Sequence, residues 1–166
     1  MVRKVVIDSS PIIGLALVGG LEWLPSLFGE VYLPETVRQE VLPGKNAPGE
    51  PAIEHALAQN WITVWPHPLD PKLELDLDAG ETDCINIGLG DPDQVLLIMD
   101  ERAGRAVANE KGIRVIGTAA IIGLAKKQGL ISSARSIFEV LHNSDFRISA
   151  AVINHVLKSV NEACVR

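Results

Sequence analysis

Two apolar, β-branched runs in this chain each stop at an aspartate: Lys4-Val5-Val6-Ile7 at Asp8, and Val95-Leu96-Leu97-Ile98-Met99 at Asp100. Runs of this kind, apolar without polar alternation, mark strands covered on both faces, as in a parallel sheet with helices on each side. A carboxylate placed directly after such a run is expensive to desolvate unless something cationic meets it there. Two of them, far apart in the chain, imply that the carboxyl ends of two strands lie side by side at the edge of one open α/β sheet. That pattern reads as a metal site.

The rest of the chain supports an alternation of strands and helices. Ser9 or Ser10 caps a helix that Pro11 opens, running from Ile12 to Val18 until Gly19-Gly20 stops it. A short helix is expected over 21–27, a strand over 31–33, and a helix after Pro34 that carries Glu40. The glycines and prolines of 43–51 predict a loop with the character of a flexible flap, followed by a helix over 52–59 and a strand over 61–64. After a loop over 67–73, acidic residues in the first turn and Gly90 at the end bracket a helix from Asp78 through Leu89. Strands over 95–99 and 113–116, helices over 101–111 and 118–128, and two tail helices split near 143–149 complete the order. The expected fold is an α/β three-layer sandwich, with a mainly parallel, roughly five-stranded central sheet and C-terminal helices. With 166 residues and 47% hydrophobic content, one core suffices. We divide it into a catalytic domain over 1–130 and a helical extension over 131–166 packed on the same domain.

Two further acids lie on expected helices, Glu40 in Val-Arg-Gln-Glu-Val and Asp83 in Glu-Thr-Asp-Cys-Ile-Asn-Ile-Gly. Three of the four acids, and Glu81 beside them, also have a plain structural reading. Asp8 would serve as a helix cap, Glu40 as a solvated glutamate, and Glu81 and Asp83 as acids that complement a helix dipole. Asp100 is favoured over Glu101 because the residue directly after a strand is the one aimed at the sheet edge. Arg102, Arg105, Lys126 and Lys127 are candidates for phosphate contacts, against the ordinary reading of solvated partners for nearby glutamates.

The formal net charge of −6 argues against a protein that coats nucleic acid through a broad basic surface. It leaves a nuclease open, since carboxylates gathered around a divalent cation contribute to that negative sum. No apolar run reaches the roughly 18 to 20 residues of a membrane span, and the N-terminal run is too soon interrupted by Asp8 for a signal peptide. A cytoplasmic protein without membrane contact is expected. Cys84 and Cys164 lack zinc-site spacing and read as ordinary buried or partly buried thiols, the four histidines are scattered, and Trp23, Trp61 and Trp65 read as core or interface residues.

Taken as an ordered set, Asp8 with Ser10, Glu40, Asp83, Asp100 and then Ile116-Gly117-Thr118 resembles the PIN-domain nucleases, over most of the chain. It looks closest to a small prokaryotic, VapC-like, toxin-type ribonuclease branch. The features that carry this are Gly80-Glu81 before the helical acid, Asp100-Glu101-Arg102 after the fourth strand, Ala125-Lys126 in the following helix, and Phe146-Arg147-Ile148-Ser149 in the tail. Asp83 is preferred to Glu81 on the family register, because it directly precedes Cys84-Ile85. The resemblance implies a metal-dependent endoribonuclease, the toxin of a type II toxin-antitoxin pair. Asp8, Asp83 and Asp100 would hold Mg²⁺ or Mn²⁺, with Glu40 binding directly or through water. Ser10 and Thr118 would position a water or a phosphate oxygen, and Arg102 and Arg105 would touch substrate. RNA, an antitoxin protein and a second copy in a homodimer are the implied partners.

Hard oxygen ligands suit these cations, and a metal-bound water is the usual nucleophile of phosphodiester hydrolysis. The rival readings are a catalytically inactive PIN-like binding or regulatory protein and a haloacid-dehalogenase-like phosphatase. Ser10, where such phosphatases carry a second aspartate, weakens the latter.

Overall fold

A computed structural model describes residues 4–70 and 75–165 of the chain, so part of the expected loop over 67–73 lies outside the described residues. Five parallel strands form one sheet in the order β3-β2-β1-β4-β5. They are β1 (Lys4–Ile7), β2 (Val31–Leu33), β3 (Thr63–Val64), β4 (Val95–Ile98) and β5 (Arg114–Ile116). Helices α1 (Ser9–Leu17), α2 (Trp23–Phe28), α3 (Glu35–Val41) and α4 (Glu50–Ala58) fall in the first half. They are followed by α5 (Ala79–Gly90), α6 (Arg102–Glu110), α7 (Thr118–Lys127), α8 (Ala134–Asn143) and α9 (Ala150–Ser159). The α/β three-layer architecture is the one expected.

The two runs that end at aspartates are the two central strands. β1 pairs with β4 in the register Val5 to Leu96 and Ile7 to Ile98, and Asp8 N–H continues the ladder to Ile98 O at 2.9 Å. Val6, Ile7, Leu97 and Ile98 have no solvent exposure, which explains why both strands lack polar alternation. From β1 the chain moves outward to β2 and β3, then returns to β4 on the other side of β1. The gap between the carboxyl ends of β1 and β4 is therefore the point where strand order reverses, the usual ligand crevice of an open parallel sheet.

Several boundaries differ from expectation for local reasons. α4 begins at Glu50 rather than Ala52, because Pro51 fits its first turn and Gly49, at φ 83°, supplies the left-handed residue before it. The preceding loop is latched: buried Glu50 accepts the Gly44 N–H at 2.9 Å. β3 is reduced to two residues at the sheet edge, because Trp61 N–H bonds back to Ala56 O and Asn60 takes φ 59°. Cys84 is buried as read, but Cys164 is exposed, since it falls beyond the last tail helix.

The tail is tied to the rest of the core. α9 lies against α7 closely enough that a Cβ on Gly123 would meet Val156 Cγ1 at 3.0 Å, and Phe138, Leu141 and Leu157 are buried. Glu162 closes the unit by accepting from the backbone N–H groups of Ala134 and Arg135, at 2.7 and 3.1 Å, and from Ser133 Oγ at 3.1 Å. A carboxylate there satisfies free donors at the start of α8 and complements its dipole. Among the described residues no helix is long and apolar enough to cross a membrane.

Candidate functional site

Asp8 follows β1 and serves as the N-cap position of α1, but its side chain makes no capping hydrogen bond. The structural reading of Asp8 as a helix cap is thereby removed. It is 2% exposed, and its Oδ1 has no hydrogen-bond partner. Burial raises its carboxyl pKa from 3.8 to about 7; the Ser9 N–H opposes that shift, while Asp78, Glu40 and Asp100 add to it by repulsion. A buried acceptor with no donor beside like charges is costly in any fold, and it calls for a reason.

The cavity it faces, about 570 Å³, is also lined by Glu40, Asp78, Glu81 and Glu101. Glu40 comes from the last turn of α3. Its carboxyl is raised, first by burial and then by Asp78, with a hydrogen bond from Ser9 opposing. Asp78 caps α5 by accepting the Glu81 N–H at 2.8 Å, which aims the first turn of that helix at the cavity. Glu81 is 6% exposed and its Oε2 lacks a partner. Burial, followed by the hydrogen bond to Asp78 and repulsion from Asp78, Asp8 and Glu101, lifts its carboxyl to about 8. Gly80 is part of this arrangement, since a Cβ there would lie 3.1 Å from Glu40 Oε2 and 3.3 Å from Asp8 Oδ1.

Asp83, two residues further along α5, turns elsewhere: its carboxylate accepts from Thr36 Oγ1 of α3 at 2.8 Å, and it is not among the residues lining this cavity. Asp100, after β4, is held by a fixed set of donors. It accepts from Thr118 N–H at 2.8 Å, Thr118 Oγ1 at 2.7 Å and Ser10 Oγ at 3.1 Å. Thr118 opens α7, so the N-terminus of that helix faces the Asp100 carboxylate. Gly117 allows the approach, because a Cβ there would press on Asp100 Oδ1 at 2.9 Å and Arg105 Nη1 at 2.7 Å.

The structure thus brings Asp8, Ser10, Glu40, Asp100 and Thr118 to the carboxyl end of the central strands, and sets Asp83 against α3. Sequence reasoning did not single out Asp78, and it placed Glu81 behind Asp83 as the acid of this helix. The signal that was present is Gly80, a glycine in a helical first turn between two acids, which makes sense only if something must approach its backbone closely.

The donor set is hard oxygen throughout, and two buried oxygens, Asp8 Oδ1 and Glu81 Oε2, are without partners. Both features fit a divalent cation such as Mg²⁺ or Mn²⁺. Among the described residues, no three His, Cys, Asp or Glu side chains stand close enough together to form a metal-holding group as placed.

No curated protein matches the chain. A family model described as a PIN domain does match, over residues 4–162, a span that takes in the whole sheet, the acidic cavity and both tail helices. On that match, with the parallel five-stranded sheet and the acids gathered where its strand order reverses, the chain belongs to the PIN-domain family, whose members are generally nucleases that use divalent metals.

Proposed function

We propose that this protein is a metal-dependent endoribonuclease of the VapC-like toxin branch, the toxin component of a type II toxin-antitoxin pair. The observation that carries the reading is the pair of buried, partnerless carboxylate oxygens on Asp8 and Glu81, at the crevice between β1 and β4. A site that holds acids in this condition without a cation is destabilising, and a cation reverses the sign.

In this reading Asp8, Glu40 and Asp100 hold Mg²⁺ or Mn²⁺, and α5 supplies a further carboxylate, Asp83 by the family register or Glu81 by its position in the cavity. When bound, the cation supplies charge neutralisation at the phosphodiester and a water of lowered pKa. The chain's own residues do the positioning. Thr118 and Ser10 fix the Asp100 carboxylate in one orientation, so that it presents itself without reorganisation. Asp78, by accepting the Glu81 N–H at 2.8 Å, fixes the first turn of α5 and so holds the Glu81 side chain at the cavity wall. RNA is the substrate in this proposal, an antitoxin protein and a second copy of the chain its partners, and the cytoplasm its place of work.

The second reading is a catalytically inactive PIN protein that binds or regulates, and it is favoured by the spacing of the carboxylates, no three of which form a metal-holding group among the described residues. Cleavage of a mixed panel of single-stranded and structured RNA, in Mn²⁺, Mg²⁺ or EDTA, separates the two. The nuclease reading expects metal-dependent cleavage that Asp8→Asn and Asp100→Asn abolish. Folded protein that binds Mn²⁺ yet cleaves nothing in the panel would sink it in favour of the second.

A further inference from the structure

A second and larger cavity, about 810 Å³, adjoins the acidic one; Ser10, Glu101 and Phe146 line both. Its lining is mixed in charge: Asp100, Glu101 and Asp145 share it with three arginines. Arg102 and Arg105 reach it from α6, and Arg147 reaches it from the connection between α8 and α9. None of the three is in an ion pair; those among the described residues are Arg38 with Glu35 and Arg135 with Glu139. Arg105 Nη1 donates to Met99 O at a long 3.4 Å, which leaves most of its fork free.

Three helix starts also border the cavity, α6 at Arg102, α7 at Gly117 and Ala119, and α9 at Ser149 and Val152. Each contributes partial positive charge and outward N–H groups. Of the three acids, Asp100 is taken up by Thr118 and Ser10, whereas none of the three guanidiniums is in an ion pair among the described residues, so the cavity offers free cationic donors beside the acidic one.

We propose that this cavity is a phosphate subsite for the nucleic-acid strand, one step along the backbone from the acidic cavity, and that the C-terminal tail completes it through Arg147. The inference rests on the nuclease reading for the identity of its ligand. Asp100 belongs to the lining, so a strand whose scissile phosphate lies at the acids must lead its neighbouring phosphate into this cavity or away from the protein. Phe146 stands between the two cavities and is held there by packing on α1, its ring 2.8 Å from where a Gly14 Cβ would be. Phe146 thus forms a fixed wall shared by the two cavities. The helical extension is therefore part of the substrate site as well as of the core.

The test uses the full chain and a fluorescein-labelled single-stranded RNA dodecamer. Anisotropy in EDTA over a series of salt concentrations reads binding, and initial rates in Mn²⁺ read cleavage. Arg147 is exposed, so Arg147→Ala should keep the wild-type circular dichroism and melting temperature. The expected result is binding weakened about fivefold to tenfold, with a salt slope shallower by about 0.7, as for one lost phosphate contact on a single strand. KM should rise by a similar factor at unchanged kcat, and Arg147→Lys should restore much of the loss. Arg102→Ala should behave alike.

Wild-type affinity, slope and KM in Arg147→Ala, with metal-dependent cleavage intact, would overturn the subsite and leave the nuclease reading standing. Arg147-dependent RNA binding without cleavage in any metal would support the subsite and overturn the nuclease reading. Arg147-dependent binding of polyglutamate at the affinity of RNA or tighter would overturn the nucleic-acid assignment, in favour of an acidic protein segment.

Discussion

Replacing Asp8 by Asn should stabilise the metal-free protein while destroying the site. The carboxyl of Asp8 titrates at about 7 in the fold against 3.8 as a free side chain, because burial and then repulsion from Asp78, Glu40 and Asp100 outweigh the Ser9 N–H. The folded state therefore holds this proton more tightly than the unfolded state. The contribution of Asp8 is most favourable below pH 4, is lost as pH rises, and reaches its floor above pH 7. Over an interval of about three pKa units, at about 1.4 kcal/mol per unit, the loss is at most about 4 kcal/mol.

Asparagine has the same shape, cannot ionise, and offers an NH₂ to the neighbouring carboxylates. We expect Asp8→Asn to gain about 1 to 3 kcal/mol at pH 8 in EDTA, and about 2 to 4 °C in Tm for each kcal/mol in a chain of this size. The advantage should vanish near pH 4. Added Mn²⁺ should reverse the order, since a ligand at a hundredfold its Kd stabilises wild type by about 2.7 kcal/mol and the variant by much less. Urea or thermal unfolding across pH, with and without metal, reads all of this. A variant less stable than wild type at pH 8 in EDTA, or a difference that does not change with pH, would refute the reasoning.

Other sites give simpler expectations. Leu97→Ala, at a position with no exposure in the central strand β4, should cost about 2 to 5 kcal/mol in denaturant unfolding. Thr118→Val removes the 2.7 Å hydroxyl bond to Asp100 but keeps the 2.8 Å N–H, and should cost about 1 kcal/mol, together with most of any nuclease activity. Gly104→Ala places a Cβ 2.5 Å from Met99 Sδ and 2.7 Å from Glu81 Oε2; overpacking of about 1 to 3 kcal/mol should appear in Tm. Glu162 is raised by burial, but its bonds to the N–H groups of Ala134 and Arg135 and to Ser133 prevail and hold its carboxyl below the usual value. Its stabilisation is present above pH 4.5 and fades as pH falls through the lowered pKa. Glu162→Gln should thus cost about 1 kcal/mol at pH 7 and progressively less in acid, measured by urea unfolding.

What the sequence alone determined is local in origin. Val5 to Ile7 and Val95 to Ile98 must be interior parallel strands because nothing else buries so many branched side chains in a row, and an aspartate directly after such a strand can only sit at its carboxyl end. Pairing of β1 with β4 then puts Asp8 and Asp100 at adjacent strand ends. The tertiary structure decided the rest. Glu81 and Asp83 lie about 200° apart around one helix, and only the rotation of α5 against β1 and α3 sets one acid in the cavity and gives the other to Thr36. Arg147 is an unremarkable loop residue in sequence, and its place beside Arg102 and Arg105 depends on how α8 and α9 pack back onto α7. Periodicity reports which face of an element is buried; which neighbour that face meets is a property of packing, and chemistry needs the neighbour.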